Sequence, residues 1–244
     1  MHGLVISSLW SQALSFVVHN GHIAGRSNLE SLLGLTLETL EVSALGIVIS
    51  CLIALPIGIW LGHIHRGSFL AINVGNIWRA LPSLAVLAIG MSFLGIGLAT
   101  LELALVVLAV PPMLTNAYVA IDEVDRDVVD AAKGMGFTSW QVIRQTELPL
   151  AIPLIFAGIR TSALFVVSTA TIASLIGFNG TLGDIVNGDG SYPQFGILGA
   201  AICIAILALL VEGVLALAQR QLTPRGVRES ELRLAPMEEA PVGT

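Results

Sequence analysis

One polar, punctuated stretch, DAAKGMGFTSWQVIRQTELP at Asp130–Pro149, interrupts a chain that is otherwise strongly apolar. Its residue types suit a docking surface. Ala131 and Ala132 present a small, close-approach surface next to Gly136, Trp140 and Ile143 supply apolar anchors, and Asp130 and Arg144 add charge. Small residues beside an aromatic knob suit a helix lying in another protein's groove. The alternative is a helix hairpin that packs only under its own chain, and the residues alone leave both readings open. Hydrolytic chemistry finds no support, because no G-x-x-x-x-G-K-[ST] phosphate loop occurs in the chain. Cys51 and Cys203 lie inside apolar runs, where they read as small packing residues rather than a disulfide or metal site.

The other groups with chemical potential are charges inside apolar runs, chiefly Arg79 and Arg160. Intramembrane charges are costly and face a bundle interior or water. Arg79, with the neighbouring Pro82 and Ser83, and Arg160 are therefore the candidates for lining a solute path, where an arginine would repel a naked cation or hold a carboxylate. The competing reading, favoured for both arginines, has each bond carbonyls freed by Pro82 or Pro153, or snorkel to the membrane surface. Glu102 and Glu212 read as interfacial or interhelical partners. Glu38 and Glu41, three residues apart, read as acids on one face of a solvated helix start.

The elements that must position these groups follow from composition. Hydrophobic residues make up 55% of the 244 and charged residues 11%, and several runs of about 20 residues carry no Asp, Glu, Lys or Arg. At 1.5 Å per residue each run suffices for a hydrocarbon core of roughly 30 Å. The expected fold is an all-α integral membrane protein with five transmembrane helices at about 42–62, 70–98, 101–121, 149–177 and 194–217. The alternation of a membrane barrel is absent. An interfacial segment at 1–30 precedes the spans, a polar loop at 122–148 separates the third from the fourth, and a disordered tail follows at 223–244. The start lacks the basic residue and cleavage site of a signal peptide. Basic residues cluster after the first, third and fifth spans, which places the N-terminus outside and the C-terminus in the cytoplasm. The net charge of −6 gives no reason to expect nucleic-acid binding.

Within the loop, Val124–Met135 and Thr138–Glu147 read as two short helices broken at Gly136. Thr138 followed by Gln141 has the form of a capping box. Leu148-Pro149 is expected to end the second helix and start the fourth span. Pro56, Pro82, Pro111 and Pro112 are expected inside spans, kinking them.

The segment resembles the EAA loop of ABC-transporter permease subunits through Asp130-Ala131-Ala132, Gly136 and Thr146-Glu147-Leu148-Pro149, with Asp130 in place of the usual Glu and Thr146 in place of the usual Ile. Trp78-Arg79-Ala80-Leu81-Pro82-Ser83-Leu84-Ala85 and Gly177-Phe178-Asn179-Gly180-Thr181-Leu182-Gly183-Asp184 are similar to segments of permeases for glycine betaine, carnitine, choline and related osmoprotectants. The resemblance implies a type I ABC importer permease architecture in a bacterial inner membrane. It also implies a coupling helix, carried by Asp130, Ala131, Ala132, Gly136, Thr138, Trp140 and Arg144, seated in a cytoplasmic ABC ATPase. The implied partners are that ATPase, holding ATP and magnesium, an extracytoplasmic solute-binding protein, a second permease chain and the lipid bilayer. This chain itself would hold no cofactor. Rival readings are an importer of methionine or another amino acid, an ATPase-independent channel or secondary carrier, and a membrane scaffold.

The orientation is open to direct measurement. Cysteine placed at Ser139 should react in intact cells with a membrane-permeant thiol reagent and not with an impermeant one; labelling from outside would overturn the topology.

Overall fold

The computed structural model describes residues 2–19, 31–67, 69, 73, 75, 81–187, 192–224 and 226, and every regular element among them is helical. In chain order these are α1 (His2–Val18), α2 (Leu32–His63), α3 (Ser83–Leu94), α4 (Leu98–Asp122), α5 (Arg126–Gly134), α6 (Ser139–Val142), α7 (Leu148–Ile172), α8 (Gly183–Asn187) and α9 (Gln194–Leu222). A π turn at Ile143–Glu147 joins α6 to α7, and a 3-10 turn at Ala173–Ile176 ends α7.

Four helices among the described residues are long and apolar enough to cross a membrane: Leu32–His63, Leu98–Asp122, Ser139–Ile176 and Gln194–Leu222. Of the expected second span, at 70–98, the described residues include the helix α3, of 12 residues. Its N-cap is Pro82, so this proline starts a helix instead of kinking one. A proline ahead of the first turn forfeits no helical hydrogen bond, which is why the break falls there. Arg79 and most of the expected tail lie outside the described residues. In the N-terminal segment, α1 lies along α9, burying Ala13 and Phe16. Phe16 meets Phe195 edge to face at 6.2 Å, and Gly199 leaves room for its ring.

The bundle is organised around α2. Its buried face reads Ser43, Gly46, Ser50, Ala54, Gly58, Gly62, a stripe of small residues at three- and four-residue spacing. Lipid tails are as apolar as leucine, so helices associate in a bilayer through close backbone approach and interhelical hydrogen bonds. That approach is tightest against α4. A Cβ on Gly58 would lie 2.7 Å from Ala117 Cβ and 2.8 Å from the Leu114 carbonyl, and one on Gly62 would lie 2.8 Å from both Ile121 Cβ and the Tyr118 carbonyl. The next helix joins α4 in the same way, for Gly158 of α7 has Asn116 Cβ 2.6 Å from where its own Cβ would stand. The Ser162 hydroxyl donates to the Ala109 carbonyl at 3.0 Å, binding α7 to α4. Leu52, Trp60, Phe93 and Leu209 are large apolar side chains exposed on the outside of the bundle.

The sequence led us to expect a helix end at Leu148-Pro149, and the structure has none. The helix passes from α6 through the π turn into α7, with Pro149 in its first turn. The wider turn absorbs one extra residue and lets the chain pass a residue that has no N–H to give.

Gly58→Ala and Gly62→Ala should each lower stability by about 1–3 kcal/mol, since neighbouring backbone blocks the added methyl. Gly213→Ala, with nothing within 4 Å of the added carbon, serves as the matched control. Thermal unfolding of the purified protein in detergent reads the difference, and equal midpoints for all three would remove the seam from the account.

Candidate functional site

The polar hairpin is built by local signals that can be followed residue by residue. Asp125 caps α5 by accepting from the Asp127 amide at 2.9 Å. After α5 the chain reverses at Gly136, whose φ of +88° is cheap only for glycine. The capping box is present: Thr138 Oγ1 accepts from the Gln141 amide at 3.4 Å, and Gln141 Oε1 accepts from the Thr138 amide at 2.8 Å. Val124, Val129, Ala132 and Val142, with Phe137 against them, make a small core between the two helices.

That core divides the residues the sequence had grouped together. Ala132 is 3% exposed and points into the hairpin, so its smallness lets the two helices close on each other. Ile143 is buried as well and is no outer anchor. The outer face carries Trp140, 67% exposed, and Met135, 70% exposed, together with Val128 and Ala131. Val128, Ala131 and Met135 stand at i, i+3 and i+7, one face of a helix; this spacing could have revealed Val128 and Met135, which the sequence reading passed over. Asp130, Thr138 and Arg144 are also exposed. Lys133 Nζ lies 3.8 Å from Asp130 Oδ1, a solvated pair worth little.

Both ends of the hairpin are tied to the turn that follows α2. His63 Nδ1 lies 2.8 Å and 3.0 Å from the two carboxylate oxygens of Glu147, the last residue of the π turn. His65 Nδ1 lies 2.6 Å from Asp122 Oδ1, at the last residue of α4. A carboxylate only accepts, so both Nδ1 atoms carry the donated hydrogen.

Inside the bundle, the path candidates separate. Ser83 lines a cavity of about 300 Å³ together with Leu108, Pro112, Phe165, Ser168 and Thr169, from α3, α4 and α7. Pro82 stands exposed at the start of α3. Arg160 is elsewhere, on the side of α7 that faces α9. It donates from Nε to Glu212 Oε1 at 2.7 Å and from Nη1 to Gln219 Oε1 at 3.1 Å, and Nη2 reaches the same carboxylate. Its partners are thus side chains of α9 and not the carbonyls freed by proline, because a carboxylate one helix away neutralises the charge as well as solvating it. Glu212 fills the interhelical role expected of it.

A second cavity, of about 600 Å³, opens where the N-terminal part of α2 meets α4 and is lined by Glu38, Glu41, Leu98, Glu102, Phe178 and Asn179. Glu38 and Glu41 are both exposed, as a solvated helix start would have them, and they line this open cavity with Glu102. The Gly177–Asp184 stretch is held against them. Gly177 and Gly180 adopt φ of +84° and +107°, and the Leu182 amide donates to the buried Thr39 hydroxyl of α2 at 3.0 Å. The Gly180 amide donates to Asp184 Oδ2. Burial pushes the Asp184 carboxyl above the usual carboxylate range, while the amides of Gly180 and Thr181 pull it back down.

With this geometry in view, comparison with known proteins is informative. Residues 54–225 match the family described as binding-protein-dependent transport system inner membrane component. The glycine betaine/carnitine/choline transport system permease protein of Bacillus subtilis is 38% identical over 89% of this chain and 97% of its own length. The carnitine transport permease protein of Listeria monocytogenes is also 38% identical, over 89% of this chain and 96% of its own. Among solved structures, the methionine ABC transporter MetNI in inward-facing conformations superposes with a TM-score of 0.69 at 23% identity, covering 79% of this chain and 96% of that one. This likeness bears on the fold, which is that of an ABC importer permease.

The Arg160–Glu212 pair makes a testable energetic claim. Arg160→Leu alone leaves the half-buried Glu212 carboxylate without its partner and should cost about 1–3 kcal/mol, whereas Arg160→Leu with Glu212→Leu should recover most of that loss. Unfolding midpoints and yield from membranes compare the two, and a double variant no better than the single would show that the pair is not what holds α7 to α9.

Proposed function

The chain belongs to the family of binding-protein-dependent transport system inner membrane components, multi-pass proteins of the inner membrane, and on that premise we propose that it is the permease subunit of an ATP-driven importer for osmoprotectants such as glycine betaine, carnitine or choline. The observation that carries this reading is 38% identity, along nearly nine-tenths of the chain, to permeases named for those solutes. The acidic cavity beneath Phe178 and Asn179 agrees with it, since carboxylates favour a solute bearing a fixed positive charge. The fold likeness to a methionine transporter leaves the substrate open and does not favour the amino-acid alternative.

In this assembly the hairpin faces the cytoplasm, the N-terminus lies outside and the C-terminus inside. Val128, Ala131, Met135 and Trp140 seat in a groove of a cytoplasmic ABC ATPase, which binds the ATP and magnesium; Asp130, Gly136, Thr138 and Arg144 shape and flank that surface. A second permease chain, identical or paralogous, completes the solute path, and an extracytoplasmic binding protein delivers the solute. Closure of the ATPase moves the hairpin as a lever, and the spans respond by exposing the shared cavity, including Ser83 and its hydroxyl-bearing neighbours Ser168 and Thr169, to alternate sides of the membrane.

Two kinds of variant separate docking from folding of the hairpin. Trp140→Ala and Met135→Asp act on the outer face and should each weaken ATPase association by about 2 kcal/mol, the scale of an interface hot spot. Ala132→Asp buries a charge in the hairpin core and should abolish association by unfolding it locally, with the spans still inserted. Co-purification of the ATPase and uptake of labelled betaine, carnitine and choline are the measurements. Full association and uptake in the outer-face variants would return the hairpin to a purely internal role.

A further inference from the structure

The chain runs unbroken from α4 into the hairpin and from the hairpin into α7, so those two spans feel any hairpin displacement directly. The first span, α2, has no such covalent link. What it has is the turn His63-Ile64-His65. One histidine of that turn binds Asp122 and the other Glu147, the two residues that bracket the hairpin, 57 and 84 positions away along the chain. We infer that the His63-Ile64-His65 turn is a positioning clamp that makes α2 move with the hairpin, passing the ATPase stroke to a span the chain itself leaves disconnected. The inference rests on the importer reading above.

Several features point to a built device and not to chance surface contacts. Glu147 is 2% exposed and His63 only 11%, so this contact is sheltered from water and neither group can be released cheaply. Glu147 sits in the π turn, a local widening of the helix found at functional positions. His65 is the one non-glycine residue among those described with positive φ, at +50°, a backbone conformation uncommon outside glycine. It thereby reverses the chain and brings the second imidazole to Asp122. One turn earlier, Gly62 lets the α2 backbone approach the side chain of Ile121 and the carbonyl of Tyr118, so the clamp closes over the tightest part of the α2–α4 seam. Three span ends, of α2, α4 and α7, are thereby joined where the hairpin begins and ends. His63 and His65 touch neither solute cavity and stand off the hairpin's outer face, so they act through Asp122 and Glu147.

The clamp predicts a loss of coupling that a loss of structure does not imitate. The complex of permease, ATPase and binding protein, reconstituted in lipid vesicles, is assayed for ATP hydrolysed and betaine taken up. In His63→Ala with His65→Ala, the ATPase should still co-purify and hydrolyse ATP, while ATP consumed per solute imported rises on the order of tenfold, the scale of a typical coupling between sites. Glu147→Gln keeps an acceptor for His63 and should retain most coupling. Exchanging the pair, His63→Glu with Glu147→His, should recover part of what Glu147→Ala loses, and these two variants decide the matter if the double alanine fails to accumulate. An unchanged ratio of ATP to solute in every variant, with hydrolysis and uptake falling together or not at all, overturns the clamp. Absence of ATP-driven uptake of any osmoprotectant by the unaltered complex, by contrast, defeats the importer reading itself.

Discussion

The close approach of α2 to α4 is the constraint on which the rest of the molecule depends. In water, burial of apolar surface would drive the two helices together; in a bilayer that drive vanishes, and only contact distance and interhelical polar bonds remain to select one arrangement. Gly58 and Gly62 set that distance by omitting side chains where the Leu114 and Tyr118 carbonyls pass at 2.8 Å from a would-be Cβ. Once α2 and α4 are in register, α7 is placed by Gly158 against Asn116 and by the Ser162 hydroxyl, and α9 is placed on α7 by Arg160. Each successive joint uses a more polar interaction.

The seam also decides where function can lie. Its hairpin end carries the two histidine contacts, whereas its opposite end opens into the acidic cavity between Glu38, Glu41 and Glu102. The smaller cavity at Ser83 lies between α3, α4 and α7. Proline contributes on the same pattern. Pro56, Pro111, Pro112 and Pro153 lie inside spans, where neighbouring helices tolerate them.

Polar groups inside the bundle fall into two kinds, distinguished by whether a partner is within reach. Arg160 binds Oε1 of Glu212 across α7 and α9, which ties those helices together, while the buried Oε2 of Glu212 has no hydrogen-bond partner among the described residues. The Glu102 carboxylate has no hydrogen-bond partner among the described residues although both its oxygens are buried. Sequence alone could not tell these apart, because both are single charges in apolar helices.

What the sequence determined by itself was everything carried by local rules. Uninterrupted apolar runs located the long helices but not their ends: the first begins at Leu32 where about 42 was expected, and the helix carrying the fourth begins at Ser139. The hairpin's reversal at Gly136 and the Thr138–Gln141 box followed from glycine's access to positive φ and from the reach of a hydroxyl over three residues, and the family from the spacing of a few positions in the loop. Tertiary structure alone decided which face of each helix is inside. It turned Ala132 and Ile143 inward and left Met135 outside, carried the helix through Leu148-Pro149 on a π turn, and gave Arg160 a carboxylate partner 52 residues away. It also brought His63 and His65 to the two ends of a hairpin far along the chain. The physical reason is common to all of these. Periodicity fixes a helix but not its rotation about its own axis, and in a chain apolar on every side no hydrophobic face betrays that rotation, so it is set by where another backbone can approach most closely.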